Sequence, residues 1–187
     1  MSKIEIIENF LPQREFKVIE NIFYDPSFPW YFQPYVDFTP TGGYNPDVNI
    51  KDRTFQFSHM FYNESEWCSS HGKPLLSILN KFKILALLRI KTNLTTVTPT
   101  ITEHRFHTDI IAGGDWSGHK LNEITTAIFY INTNDGYTKF KDGTKVESVA
   151  NTLVKFPSNT MHLGTTCTNR KSRIVINFNF LEFTPMI

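Results

Sequence analysis

The chain has 187 residues, 40% of them hydrophobic and 20% charged, with a formal net charge of +1. Such a composition excludes an intrinsically disordered chain. Near-neutrality gives no long-range attraction to nucleic acid or to an anionic membrane, so neither is expected as a partner. Two cysteines, Cys68 and Cys167, cannot build a disulfide framework and fit a reducing compartment. MSKIEIIENF lacks an apolar signal core, and the most apolar run, Ile84 to Leu88, is too short to cross a bilayer, so a cytoplasmic location is expected. The length fits one domain spanning residues 1–187.

In chain order, Phe16, Ile19, Ile22 and Phe23 recur at helical spacing after Pro12, which predicts a helix from about Pro12 to Tyr24. Pro26, Pro29 and Pro34 break the chain, and Thr39 to Asp47 (TPTGGYNPD) reads as a loop. The aromatic stretch Phe28 to Tyr35 is expected to pack against a sheet, with a groove lining as the other role open to it. Thr54 to Tyr62 is strand-like, and Pro74 to Phe82 reads as a second helix. From Ile84 onward, β-branched and aromatic runs alternate with turn signals such as Asn134-Asp135-Gly136 and Asp142-Gly143. The expected fold is therefore α+β and mainly β. A helical and loop part over about residues 1–83 would pack on a β core over about residues 84–183, and a jelly roll accommodates about eight short strands.

Chemistry concentrates in HRFHTDI, His104 to Ile110. Side chains alternate along an extended chain, so His107 and Asp109 share a face. A third ligand comes from elsewhere; His162, after the apolar strand NTLVKF, is the candidate. Two histidines and one carboxylate make the facial triad of non-haem Fe(II) sites. An isolated His-x-Asp is also common by chance. His104 lies three residues before His107, which in a strand places it on the opposite face, at the surface or behind the ligands. His59, His71 and His119 have no carboxylate at useful spacing and read as ordinary polar residues. Arg173 opens the apolar strand RIVINFNF, eleven residues after His162. A guanidinium entering such a strand either ends in solvent or meets an anion, and its fork matches a carboxylate.

In this order of motifs the sequence resembles the Fe(II)/2-oxoglutarate-dependent dioxygenases over about residues 88–183. It is similar in particular to their prolyl-hydroxylase-like members and to small oxygenases of bacteriophage genomes. The resemblance implies a double-stranded β-helix, a jelly-roll variant, with N-terminal helices packed on the sheet. It implies Fe(II) held by His107, Asp109 and His162. It implies 2-oxoglutarate held through its far carboxylate by Arg173 and by Tyr130 of the Tyr130-Ile131-Asn132 motif, with dioxygen as oxidant and ascorbate as reductant. Thr126, four residues before Tyr130, would line the same pocket. Where many members carry a tyrosine ten residues before the first histidine, Val97 stands here, and Asn93 is the substitute candidate. No second arginine follows Arg173, which argues against base demethylation, and retention of Asp109 favours hydroxylation over halogenation. The implied activity is hydroxylation of a peptidyl prolyl or other side chain, a free amino acid or a small molecule, with release of succinate and CO2. The alternative is a non-catalytic jelly-roll module for metal, ligand or partner binding. The glycine-rich Ala112 to Gly118, with Trp116, would form a mobile loop over the mouth.

Overall fold

The structure is a computed structural model that describes residues 4–34, 36, 55–109 and 123–183. Thr39 to Asp47, Ala112 to Gly118 with Trp116, and His119 lie outside the described residues.

The first helix, α1 (Gln13–Tyr24), forms where the periodicity placed it, with Pro12 at the N-cap and its carbonyl accepting from Glu15 N and Phe16 N. It buries Phe16, Ile19 and Phe23 and stops before Pro26. The expected helix from Pro74 to Phe82 is instead a 3-10 segment (Ser70–Leu75) continued by one α-turn, α2 (Leu76–Leu79). Pro74 contributes no backbone N–H, and Lys81 N and Phe82 N reach back only three residues, to Ile78 O and Leu79 O.

Eleven strands are assigned among the described residues: β1 (Glu5–Ile7), β2 (Tyr31–Gln33), β3 (Gln56–Asn63), β4 (Glu66–Trp67), β5 (Ile84–Thr96), β6 (Ile124–Tyr130), β7 (Tyr137–Phe140), β8 (Lys145–Glu147), β9 (Thr152–Pro157), β10 (His162–Gly164) and β11 (Ser172–Glu182). They form two antiparallel sheets. The larger has the order β1-β9-β6-β11-β5-β3-β2, with β4 on β3; the smaller is β10-β7-β8. This is a jelly-roll-like fold, mostly β, with its helices N-terminal.

Alternation along the central strands sorts residues to two cores. Ile174, Ile176, Phe178, Phe129, Ile90 and Phe61 face α1 and pack with Phe16, Ile19 and Phe23. Ile128, Tyr130, Val154, Phe156 and Val175 face the smaller sheet and meet its Phe140 and Val146. β11 is buried on both faces, which explains its nearly unbroken apolar run. In the aromatic stretch, Phe28 packs against Phe61 of the sheet as expected and joins Trp30 against Phe23 of α1, whereas Tyr31 and Phe32 stand exposed on β2.

Candidate functional site

The interior between the two sheets holds the chemistry. β10 pairs on its free side with the segment around His107 through the bridges Glu103↔Thr165 and His107↔His162. His107 and His162 exchange both backbone hydrogen bonds, at 2.9 and 3.0 Å, so their side chains leave the ladder on one face with ring centroids 4.7 Å apart. Each imidazole directs Nδ1 at the carbonyl two residues before it, His107 at Arg105 O and His162 at Thr160 O, both at 3.0 Å. Those carbonyls fix Nδ1 as the N–H donor and leave Nε2 with a free lone pair. Asp109 completes the group: its Oδ1 lies 4.0 Å from His107 Nε2 and 3.9 Å from His162 Nε2. Ligand atoms about 2.1 Å from one ion in neighbouring positions stand about 3 Å apart, so a closure of about 1 Å would seat a divalent cation. His107, Asp109 and His162 thus form a group that could hold a metal ion. Burial keeps His162 below its ordinary pKa, hence neutral and able to ligate. Burial pushes the Asp109 carboxyl up, but His162, Arg89 and His107 outweigh it and hold the carboxyl below its ordinary value.

Behind Asp109 stands a polar group that strand register assembles. Arg89 on β5 lies opposite Asn179 on β11, which lies opposite Thr126 on β6. Arg89 Nη2 is 3.6 Å from Asp109 Oδ1, and Arg89 Nε donates to Asn179 Oδ1 at 3.0 Å. Asn179 Nδ2 donates to Thr126 Oγ1 at 2.9 Å and makes a long contact, 3.5 Å, with Asp109 Oδ2. Thr126 also meets Ser158 Oγ at 2.8 Å. Thr126 therefore supports the carboxylate end of the site, four residues along β6 from the Tyr130 hydroxyl with which it shares a face.

Arg173 lies at the other end of the same face and is 5% exposed. Its Nε donates to Ser148 Oγ at 2.7 Å and its Nη2 to Thr138 Oγ1 at 3.2 Å; no carboxylate pairs with it among the described residues. Burial alone accounts for a guanidinium pKa below the ordinary value. Tyr130, fully buried, donates its hydroxyl to the same Thr138 Oγ1 at 2.8 Å, and burial raises its pKa so that the phenol keeps its proton. Asn132 clamps the chain on both sides of Arg173. Its Nδ2 donates to Ser172 O at 2.6 Å and its Oδ1 accepts from Ile174 N at 2.9 Å. Gly136 is a glycine for a steric reason: a Cβ there would lie 2.7 Å from Arg173 Cδ and from Thr166 O. Asn93 faces this interior opposite Val175, with its Oδ1 buried and without a hydrogen-bond partner among the described residues.

Like Arg89 and Asn179, three further residues take places that the sequence pattern does not show. His104 does not lie opposite His107. Four residue steps separate Glu103 from His107, but only three separate His162 from Thr165, so a one-residue bulge shifts the alternation. His104 then sits on the inner face; its Nε2 is buried without a partner among the described residues, and it neighbours Arg173. Lys91, opposite Asn177, also faces this interior; desolvation first, then Arg89, pulls its ammonium down to about 8. His59, which reads as an ordinary polar residue in the sequence, is buried between Phe28 and Phe61 with Nδ1 on Pro29 O at 2.8 Å.

No family model matches the chain, and no curated protein matches it. Solved structures do. A viral collagen prolyl hydroxylase from Paramecium Bursaria Chlorella virus-1, in a 2OG complex, aligns with a TM-score of 0.54 and 16% identity over 97% of this chain and 96% of that one. A prolyl hydroxylase from Trichoplax adhaerens, in complex with a hypoxia inducible factor peptide fragment, gives 0.60 and 13% over 96% and 83%. An oxidoreductase of the 2OG-Fe(II) oxygenase family from Burkholderia pseudomallei gives 0.62 and 8% over 95% and 84%. The chain has the fold of the prolyl hydroxylases and 2OG-Fe(II) oxygenases.

Proposed function

We propose that this protein is an Fe(II)- and 2-oxoglutarate-dependent dioxygenase that hydroxylates a peptide side chain or a small molecule. One observation carries the reading. Two Nε2 lone pairs and a carboxylate converge at one end of the interior, and a buried guanidinium without a carboxylate partner among the described residues lies at the other end of the same face. A structural core gains from neither, because a buried cation with no counter-anion costs several kcal/mol on the order of magnitude.

His107, Asp109 and His162 would hold the iron on one face and leave its remaining positions to ligands. Iron with bound 2-oxoglutarate supplies the oxidative chemistry, in which dioxygen is consumed, 2-oxoglutarate becomes succinate and CO2, and a substrate C–H becomes C–OH. Arg173 would pair with the far carboxylate of the cosubstrate by charge-assisted hydrogen bonds, and Tyr130, protonated, would turn its hydroxyl to the same group. Asn93, on the neighbouring strand, would contact the cosubstrate from β5. Arg89 and Asn179 hold the Asp109 carboxylate in place and ionised. The apolar walls from Ile128, Phe156 and Phe140 exclude water from the reacting centre.

A peptide substrate is supported by the Trichoplax neighbour, whose structure contains one. The test is turnover. With Fe(II), ascorbate, 2-oxoglutarate and dioxygen, the protein should form succinate, and a peptide or amino-acid pool should yield a product one oxygen heavier, labelled from isotopic dioxygen and not from water. Iron and 2-oxoglutarate binding without succinate across broad pools would instead identify a non-catalytic jelly-roll module.

A further inference from the structure

His104 has no part in the triad, yet it is built into the same interior. The bulge between Glu103 and His107 carries it to the inner face, and its backbone N donates to Gly164 O at 3.0 Å, across from the glycine. Gly164 leaves room there: a Cβ at that position would lie 3.5 Å from Arg173 Nη1 and 3.9 Å from His104 Nδ1. Arg173 Nη1 and the Nδ1 edge of the His104 ring therefore both border the space beside Gly164. Arg173 directs Nε and Nη2 away, to Ser148 and Thr138, so its Nη1 edge is the one on the His104 side. His104 Nε2 is buried and meets no hydrogen-bond partner among the described residues. A buried polar nitrogen without a partner is rare in a folded chain and calls for a ligand or a trapped water.

We propose that His104 binds the far carboxylate of the 2-oxo acid beside Arg173, donating its Nε2–H to a carboxylate oxygen. This rests on the cosubstrate reading above. The imidazole suits the task because it is neutral: burial first, then Arg173 and His107, hold its pKa down to about 3. A neutral ring offers one N–H without adding a second cation to be desolvated, and a carboxylate accepts from the guanidinium and the imidazole together.

The experiment is calorimetric titration of the full-length, Mn(II)-loaded protein with 2-oxoglutarate, for wild type, His104→Ala and His104→Gln, with Mn(II) affinity measured alongside. The expected result for His104→Ala is a loss of about tenfold to a hundredfold in 2-oxoglutarate affinity with Mn(II) affinity kept. His104→Gln, whose amide still donates an N–H, should recover part of it. In Zn(II)-loaded wild type labelled with 15N histidine, 2-oxoglutarate should shift the His104 Nε2 resonance, a readout that does not depend on either variant folding. Equal 2-oxoglutarate affinity in wild type and His104→Ala, loss of metal with the cosubstrate, no recovery in the Gln variant, or an unmoved Nε2 resonance would each overturn the assignment. Failure of the wild type itself to bind 2-oxoglutarate would instead overturn the dioxygenase reading.

Discussion

Replacing Arg173 by Met separates a residue kept for binding from one kept for the fold. The guanidinium is buried, donates among the described residues to the Ser148 and Thr138 hydroxyls alone, and lies 5.7 Å from the centre of the Tyr130 ring. Desolvating such a charge costs several kcal/mol, on the order of 5. Two charge-assisted hydrogen bonds return about 1.5–3 kcal/mol each, and the ring contact about 1. The terms nearly cancel, so an apolar side chain of similar length should leave the ligand-free protein within about 2 kcal/mol of wild type. At this chain length that corresponds to a change in Tm of at most about 8 °C. The same substitution should cost about 2–5 kcal/mol of 2-oxoglutarate affinity. Thermal unfolding of the Mn(II)-loaded protein with and without 2-oxoglutarate reads both effects. At a hundredfold excess over the wild-type Kd the ligand stabilises wild type by about 2.7 kcal/mol and should stabilise Arg173→Met by less than about 1 kcal/mol at that concentration. A variant that loses more than about 3 kcal/mol without ligand yet keeps the wild-type ligand response would refute the reasoning, because the arginine would then be holding the fold and not an anion.

Three further outcomes follow from neighbouring contacts. Asn132→Ala removes the bonds to Ser172 O and Ile174 N and should destabilise the protein by about 1–3 kcal/mol, measured by urea unfolding, while weakening 2-oxoglutarate binding through a loosened Arg173. Gly136→Ala drives a methyl to 2.7 Å from Arg173 Cδ and should lower 2-oxoglutarate affinity with Mn(II) affinity kept; calorimetry showing neither change would mean the arginine stem is not held there. His104 titrates at about 3 in the fold against 6.5 for the ordinary group, so the unfolded chain binds the additional proton between those values and stability falls as pH drops through that window. His104→Gln removes this contribution, and urea midpoints should move in the variant's favour from pH 7 to pH 5; a constant difference would contradict the burial of the imidazole.

The sequence exposed those parts of the site that depend on local alternation and motif order. His107 and Asp109 are two residues apart, and Tyr130-Ile131-Asn132 and Arg173 each sit in or beside an apolar strand, so their faces follow from a period of two. What stayed hidden depends on pairing between distant segments. His104 was assigned the wrong face because the bulge is visible only when Glu103–His107 is laid against His162–Thr165. Arg89 and Asn179 are ninety residues apart and meet because β5 and β11 pair in one register. Thr126 followed the alternation correctly, yet its distance along β6 assigns it to the Asp109 end. Among the helices, α1 was legible from a strong apolar stripe, whereas Pro74 to Phe82 carries apolar residues at helical spacing around a proline that breaks it into a 3-10 segment and a single α-turn.

Whether iron and 2-oxoglutarate meet on His107, Asp109 and His162 is read most directly by anaerobic titration. Fe(II) followed by 2-oxoglutarate should bring up the weak visible charge-transfer absorption of the chelate, saturating at one equivalent of each. His107→Ala and Asp109→Ala, shown to be folded by circular dichroism, should not develop it. A folded wild-type protein that gives no band, or a band that survives in both variants, would contradict the account.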